Sequence, residues 1–214
     1  MRTELPIPGE FGRMAAMTAK QVITQKLREA EREIIFNEFK GVEGTVITGT
    51  VQRFEGRIVL VDIGRTTGIM KPEDQMSGDK YRSGDRLKLY VREVSLGPRG
   101  PQILLSRTHE NLIRHLFEVE IPEIGEGTID IKALAREAGA RTKIAVSSRD
   151  PQIDPIGACI GQRGTRIQTI IAELAGEKID VIEWHEDPKE FLRNTLAPAK
   201  TISVDLVEEE RVAN

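Results

Sequence analysis

Little in this sequence invites redox, metal or membrane chemistry. One cysteine, Cys159, stands among 214 residues, which leaves no intramolecular disulfide and fits a reducing cytoplasm. The three histidines, His109, His115 and His185, are scattered, and neither a His-Glu-x-x-His run nor a cysteine-pair spacing occurs, so no metal site and no cofactor are expected. Aromatic residues make up only 4% of the chain, which excludes extensive base or ligand stacking as a principal binding mode. No apolar run approaches the roughly 18 residues of a membrane span. The N-terminal "MRTELPIPGEFG" lacks the apolar core of a secretion signal. The net charge of -3 excludes a polycation, so any nucleic-acid contact must come from local patches.

What is present is a globular balance, 39% hydrophobic and 30% charged, organised in successive periodicities. Residues 11–39 place Val22, Ile23, Leu27, Ala30 and Ile34 at three- and four-residue steps between Lys, Arg and Glu. The pattern predicts one long amphipathic helix, bounded by Pro6 and Pro8 before it and Gly41 and Gly44 after it, lying on the next domain. From 44 to 108 the period changes. "TVITGTVQRF", "RIVLVDI", "TTGIM", "RLKLYVREV" and "PQILLSR" are β-rich runs punctuated by Gly, Ser, Asp and Pro. About five strands in so short a stretch predict a small closed barrel of the OB type. In one of them Leu87, Leu89 and Val91 alternate with Lys88, Tyr90 and Arg92, giving an apolar face and a basic face with one aromatic.

After a short helical connector at 109–116, "FEVEIPEI" reads as a strand, "DIKALAREAG" as a helix and "RTKIAVSS" as a strand. "DPIGACIG" and "TRIQTIIAELAG" read as helices, "KIDVIEW" as a strand, and "DPKEFLRNTLAPA" as a helix with Asp187 as N-cap and Pro188 at its first position. "KTISVDLVEEERVAN" begins like a strand, and Glu208, Glu209 and Glu210 read as solvated.

The sharpest signal is "CIGQRGTRI" at 159–167. Glycines at 161 and 164 let backbone approach backbone or ligand without a Cβ. A Walker loop would need a lysine after its last glycine and a strand before its first, and a dinucleotide loop needs a G-x-G start that Gly157 and Gly161 do not supply. The third option is the KH module, whose G-x-x-G loop clamps an RNA backbone between two helices. Ile160-Gly-x-x-Gly-x-x-Ile167, with a strand before and a strand after, matches that signature.

The order of long charged helix, barrel and KH unit resembles the bacterial NusA transcription termination/antitermination family. The likeness is carried by "FGRMAAMTAKQVITQKLREAERE", "LSRTHENLIRHLFEVEIPEIGEGTIDIKALAREAGARTKIAVSS", "DPIGACIGQRGTRIQTIIAELAGEKIDVIEW" and "DPKEFLRNTLAPAK". The resemblance implies an α+β multidomain chain. Its parts would be a linker helix at 1–40, a five-stranded S-one-type OB barrel at 41–108, a KH domain of the bacterial (type II) arrangement at 109–200, and the start of a second KH domain at 201–214. It also implies that the family's polymerase-docking N-terminal domain is missing and that the second KH domain is cut short.

By the same resemblance Gly161, Gln162, Arg163 and Gly164 meet the RNA backbone. Arg166, Lys143 and Ile160 flank the groove for the bases, and Ile179, Asp180 and Val181 present base-reading edges. Phe54, Lys88, Tyr90 and Arg92 would serve the barrel. The implied function is non-enzymatic: a cytoplasmic regulator of elongation, pausing, termination and antitermination that binds nascent single-stranded RNA. RNA polymerase and other antitermination factors are its implied protein partners. The alternative is an RNA-binding cap or accessory subunit of an RNA-degrading complex such as the exosome, though exosome caps open with a β-rich domain and phosphorolytic exoribonucleases place KH before the barrel.

Overall fold

The computed structural model describes residues 9–98, 100–197, 199, 203, 204, 206, 207, 212 and 213. Helix α1 (Gly9–Lys40) forms where the apolar period predicts it, but it does not lie along the barrel. Met14, Met17, Val22, Ile23, Leu27 and Ile34 are exposed, and only the last turns dock, through buried Phe39 and half-buried Ile35 and Phe36. At about 3.6 residues per turn, Ile23, Leu27 and Ile34 fall on the side of the helix nearly opposite Phe36 and Phe39. Anchoring the two phenylalanines therefore turns the apolar stripe away from the barrel.

Strands β1 (Val46–Glu55), β2 (Ile58–Asp62), β3 (Thr67–Met70), β4 (Arg86–Gly97) and β5 (Gly100–Ser106) close into a barrel of order β1-β2-β3-β5-β4. Val51, Val59, Val61, Met70, Leu89, Val91, Ile103 and Leu105 fill it. Register shifts between Val51 and Arg53 and between Val91 and Glu93 bend β1 and β4 at the barrel's corners. After the second shift the inward position passes to Val94.

The chain then runs α2 (Glu110–Glu120), α3 (Pro122–Gly125), β6 (Ile129–Glu137), β7 (Arg141–Ser148), α4 (Pro155–Ile160), α5 (Thr165–Glu173), β8 (Lys178–Glu183) and α6 (Pro188–Leu196). Strand β7 pairs antiparallel with β6 and parallel with β8. Helix, strand, strand, helix, helix, strand is the type II KH order.

Two expected elements exchange identity. "FEVEIPEI" is helical, because Leu112, Ile113, Leu116 and Phe117 make one buried helical stripe while Val119, which an alternating strand would bury with Phe117 and Ile121, is exposed. "DIKALAREAG" is mostly strand β6 despite its helix-favouring Ala, Leu, Arg and Glu. Pairing with β7 from Ile129↔Ser148 to Glu137↔Arg141, bulged at Ile131/Ala133, overrides that propensity. The cap read from sequence is in place, with Asp187 accepting the Lys189 N–H, and Asp154 caps α4 in the same way by accepting the Ile156 N–H; proline is first in each helix. Near the C-terminus β9 (Leu206–Val207) pairs antiparallel with β10 (Val212–Ala213). The Glu208–Glu210 expectation lies outside the described residues.

Barrel and KH unit share one apolar cluster. Tyr90 and Met76 from the barrel pack with Leu112, Ile113, Ile144 and Ile170. Two buried, ion-paired arginines stand around it. Arg107, 1% exposed, reaches Asp79 in the barrel and Glu173 on α5. Arg136 and Glu177, 1% and 0% exposed, pair at 2.9 Å, and Arg136 also donates to the His109 carbonyl at the start of α2. Burial alone would raise the Glu177 pKa, but hydrogen bonds from Arg136, the Gly139 amide and Thr142 outweigh it and hold the carboxyl below the usual range.

Candidate nucleic-acid interface

The Gly161–Gly164 loop has an unusual backbone. Gly161, Arg163 and Gly164 all have positive φ, at 75°, 56° and 76°. Gly161 is required twice over, since a Cβ there would sit 2.8 Å from Cγ of Arg166 in addition to the strained φ. Arg163 holds a left-handed conformation that a non-glycine residue adopts at a cost of about 1–2 kcal/mol. The loop is fixed from within: the Gly161 N–H donates to the Gly157 carbonyl at 2.9 Å, the Gly164 N–H to the Gly161 carbonyl at 3.1 Å, and the Thr165 hydroxyl to the Gln162 carbonyl at 3.0 Å. Gln162 and Arg163 are left exposed at its tip.

Two hollows adjoin the loop. A groove of about 490 Å³ is lined by Ile160, Gly164, Ile167, Gln168, Ile171, Ile179, Asp180, Val181, Ile182 and Ala197. Its floor is apolar, and Ile160 is 38% exposed at its rim. A second, polar hollow of about 560 Å³ is lined by Gly157, Gly161, Gln162, Thr165 and Arg166 and shares no lining residue with the first. The structure thus brings together Ile160, the loop, and Ile179, Asp180 and Val181 of β8.

The remaining expected residues are placed differently. Arg166 is clamped: its Nη1 donates to Glu123 at 3.0 and 3.2 Å and to the Ala158 carbonyl at 2.8 Å. Lys143 leaves the sheet on the face opposite Ile144, where its ammonium donates to the Thr195 carbonyl of α6. Asp180 pairs with Arg141 at 2.6 Å.

The barrel's expected face is corrected. Tyr90 is 8% exposed, stacked on the His109 ring with centroids 4.0 Å apart, and its hydroxyl accepts from Asn111. Lys88 is half-buried, with its N–H donating to Glu173 and its carbonyl accepting from Arg107. The face that alternation marks as outward is thus turned onto the KH unit, a burial that periodicity within one strand does not register. Arg92 is exposed but paired with buried Asp74 at 3.0 Å. Phe54 is 50% exposed at the far end of β1, about 25 Å along the strand from the end that meets the KH unit.

Sequence reasoning missed Arg107, Glu173, Asp79 and Glu123. A charged residue ending the apolar run "PQILLSR" looks like any strand terminus, and no signal distinguishes a buried guanidinium there. Cys159 is buried against α5, and burial, helped by nearby Glu123 and opposed by Arg166, pushes its thiol up to about 12. The native chain should therefore resist a thiol reagent at neutral pH and react promptly once denatured; fast labelling of the folded chain would contradict this burial.

A closed five-stranded barrel packed on a type II KH unit with an intact G-x-x-G loop defines a protein of the barrel–KH class. Residues 107–184 match the family model described as the NusA-like first KH domain, and residues 1–33 match that of the NusA N-terminal domain. Part of the domain that the sequence resemblance was expected to lack, including most of α1, is therefore represented. Relatives include transcription termination/antitermination protein NusA of Halalkalibacterium halodurans, 49% identical over 95% of this chain and 53% of that protein. Those of Bacillus subtilis and Thermus thermophilus are 47% and 48% identical over 95% and 98% of this chain, and each is covered over 55% of its length. The chain belongs to the NusA family and spans about half the length of these curated relatives. Among the described residues no helix is long and apolar enough to cross a membrane, and no group of three or more His, Cys, Asp or Glu could hold a metal ion.

Proposed function

We propose that this chain is the single-stranded-RNA-binding part of a cytoplasmic regulator of transcription elongation, pausing, termination and antitermination, and that it catalyses no reaction. One observation carries the reading: a tightly turned Gly161–Gly164 loop with an exposed polar tip stands beside an apolar groove edged by β8. The loop accepts sugar-phosphate backbone where a side chain would obstruct it. Ile160, Ile167 and Ile171 take base faces, and the β8 edge from Ile179 to Val181 reads base edges. Gln162 and Arg163 meet phosphate. Phe54 offers the barrel's exposed aromatic, while Tyr90 and Lys88 serve the domain interface. RNA polymerase and other antitermination factors are partners of the longer protein, a reading supported by relatives named for termination and antitermination.

Titration of the chain into a labelled, unstructured RNA oligonucleotide at several salt concentrations tests this. Each phosphate contact to a single strand contributes roughly 0.7 to the slope of log affinity against log salt, so two to four contacts give a slope between about -1.4 and -2.8. No binding, or binding indifferent to salt, would remove the reading. Equal affinity for duplex RNA would argue against the groove.

A further inference from the structure

The polar hollow beside the loop is lined by an arginine already occupied by a carboxylate. Arg166 sits in the first turn of α5, with its side chain 33% exposed, and Glu123, 29% exposed, takes its Nη1 through both oxygens. Glu123 is presented from a fixed segment, since its neighbours Ile121 and Ile124 are buried. The Ala158 carbonyl holds the same nitrogen from below. The Nε and Nη2 donors of Arg166 have no hydrogen-bond partner among the described residues. A guanidinium with two adjacent donors to spare, opening on a hollow of about 560 Å³ beside a backbone-clamping loop, matches the fork that grips a phosphate. Arg163, the other cation of the loop, makes no ion pair among the described residues.

We propose that Glu123 is an internal stand-in for an RNA backbone phosphate. It neutralises Arg166 while the loop is empty and is displaced when the strand arrives, with the Ala158 carbonyl keeping the guanidinium in place. The inference rests on the RNA-binding reading above and deepens it. Glu123 is a positioning residue: it touches no RNA and sets how much of Arg166 the RNA can use. The exchange makes the loop's affinity lower than its two arginines would supply, and it penalises weak anions that cannot outcompete a fixed carboxylate.

The test compares wild type, E123Q, R166A and the double variant E123Q/R166A, in the full chain, with the same labelled single-stranded RNA and with melting temperatures recorded. E123Q retains a side-chain oxygen for Arg166 but lifts the charge. It should tighten RNA binding about two- to fivefold at low salt, the range an ion pair of this exposure controls, and steepen the salt slope by roughly 0.7, one further phosphate contact. R166A should bind more weakly than wild type, and E123Q should have no effect in the R166A background. E126Q removes the same charge from an exposed neighbour and should not tighten binding. E123D keeps the charge but withdraws it by one methylene, and should fall between wild type and E123Q, which covers the case of an unstable E123Q. Unchanged or weaker binding by a folded E123Q, tightening that persists without Arg166, or equal tightening by E126Q would overturn the proposal. Wild type failing to bind RNA at all would instead overturn the parent reading.

Discussion

The chain carrying Gln162→Asp and Arg163→Asp is expected to lose roughly ten- to a hundredfold in affinity for single-stranded RNA while melting at nearly the wild-type temperature. Both side chains are exposed at the loop tip, so little packing is removed, and such surface changes fall within about 0.5 kcal/mol. The backbone tolerates the change: Arg163 has φ of 56°, and aspartate enters the left-handed region more readily than most residues. The charge at the tip moves from positive to doubly negative, at contact distance from the phosphates the loop would hold. Fluorescence anisotropy for affinity and circular dichroism for melting, on one preparation, decide the matter. A folded variant that binds like wild type would take the loop out of the interface.

Arg107→Ala should be the most damaging single substitution for stability, costing about 3–5 kcal/mol. The side chain is buried and its five N–H donors are all engaged. Nε donates to Asp79 at 2.8 Å. Nη1 donates to the Lys88 carbonyl at 3.0 Å and to the Glu173 carboxylate at 3.1 Å. Nη2 donates to the Glu173 carbonyl at 2.7 Å and to Asp79 at 3.4 Å. Truncation leaves Asp79, itself 8% exposed, buried and uncompensated, and removes a tie between barrel and α5. The two units should then tumble more independently, visible as a larger radius of gyration in solution scattering, and the melting transition should fall or split. Arg107→Lys should not rescue, because one ammonium cannot span acceptors placed for a planar fork. A variant that melts within about 1 kcal/mol of wild type would show that the shared apolar cluster holds the two units together without the clip.

The legible parts of this molecule are those governed by local rules. Glycines 161 and 164 between two apolar helices announce a loop that only a few architectures use, and Asp154-Pro155 and Asp187-Pro188 mark helix starts because the capping chemistry lies within three residues. The barrel was legible from dense short strands and turn residues. What failed was set at a distance. Residues 130–137 have helix-favouring composition and become a strand because a partner strand pairs along them. Tyr90 lies on the polar face of its strand and is buried because another domain covers that face. Arg166 carries the charge expected beside an RNA groove, and its partner Glu123 comes from a segment 43 positions earlier, which no pattern in the loop reveals. The likeness to NusA supplied the order of helix, barrel and KH unit and left the two exchanged elements uncorrected.

The clip at Arg107 also has a history in time. The barrel is contiguous from Val46 to Ser106 and can close as soon as it has emerged from the ribosome, whereas Glu173 is 66 positions further on. At about 5–20 residues per second of synthesis, Arg107 waits about 3–13 s for its second carboxylate. Through that interval Asp79, already in the chain, is the carboxylate within the guanidinium's reach. The parallel strand β8 and helix α5 must both be made before the apolar cluster can form around it. A finished barrel thus carries its own docking cation, and the order of synthesis places the joining of the two units after the closing of the barrel.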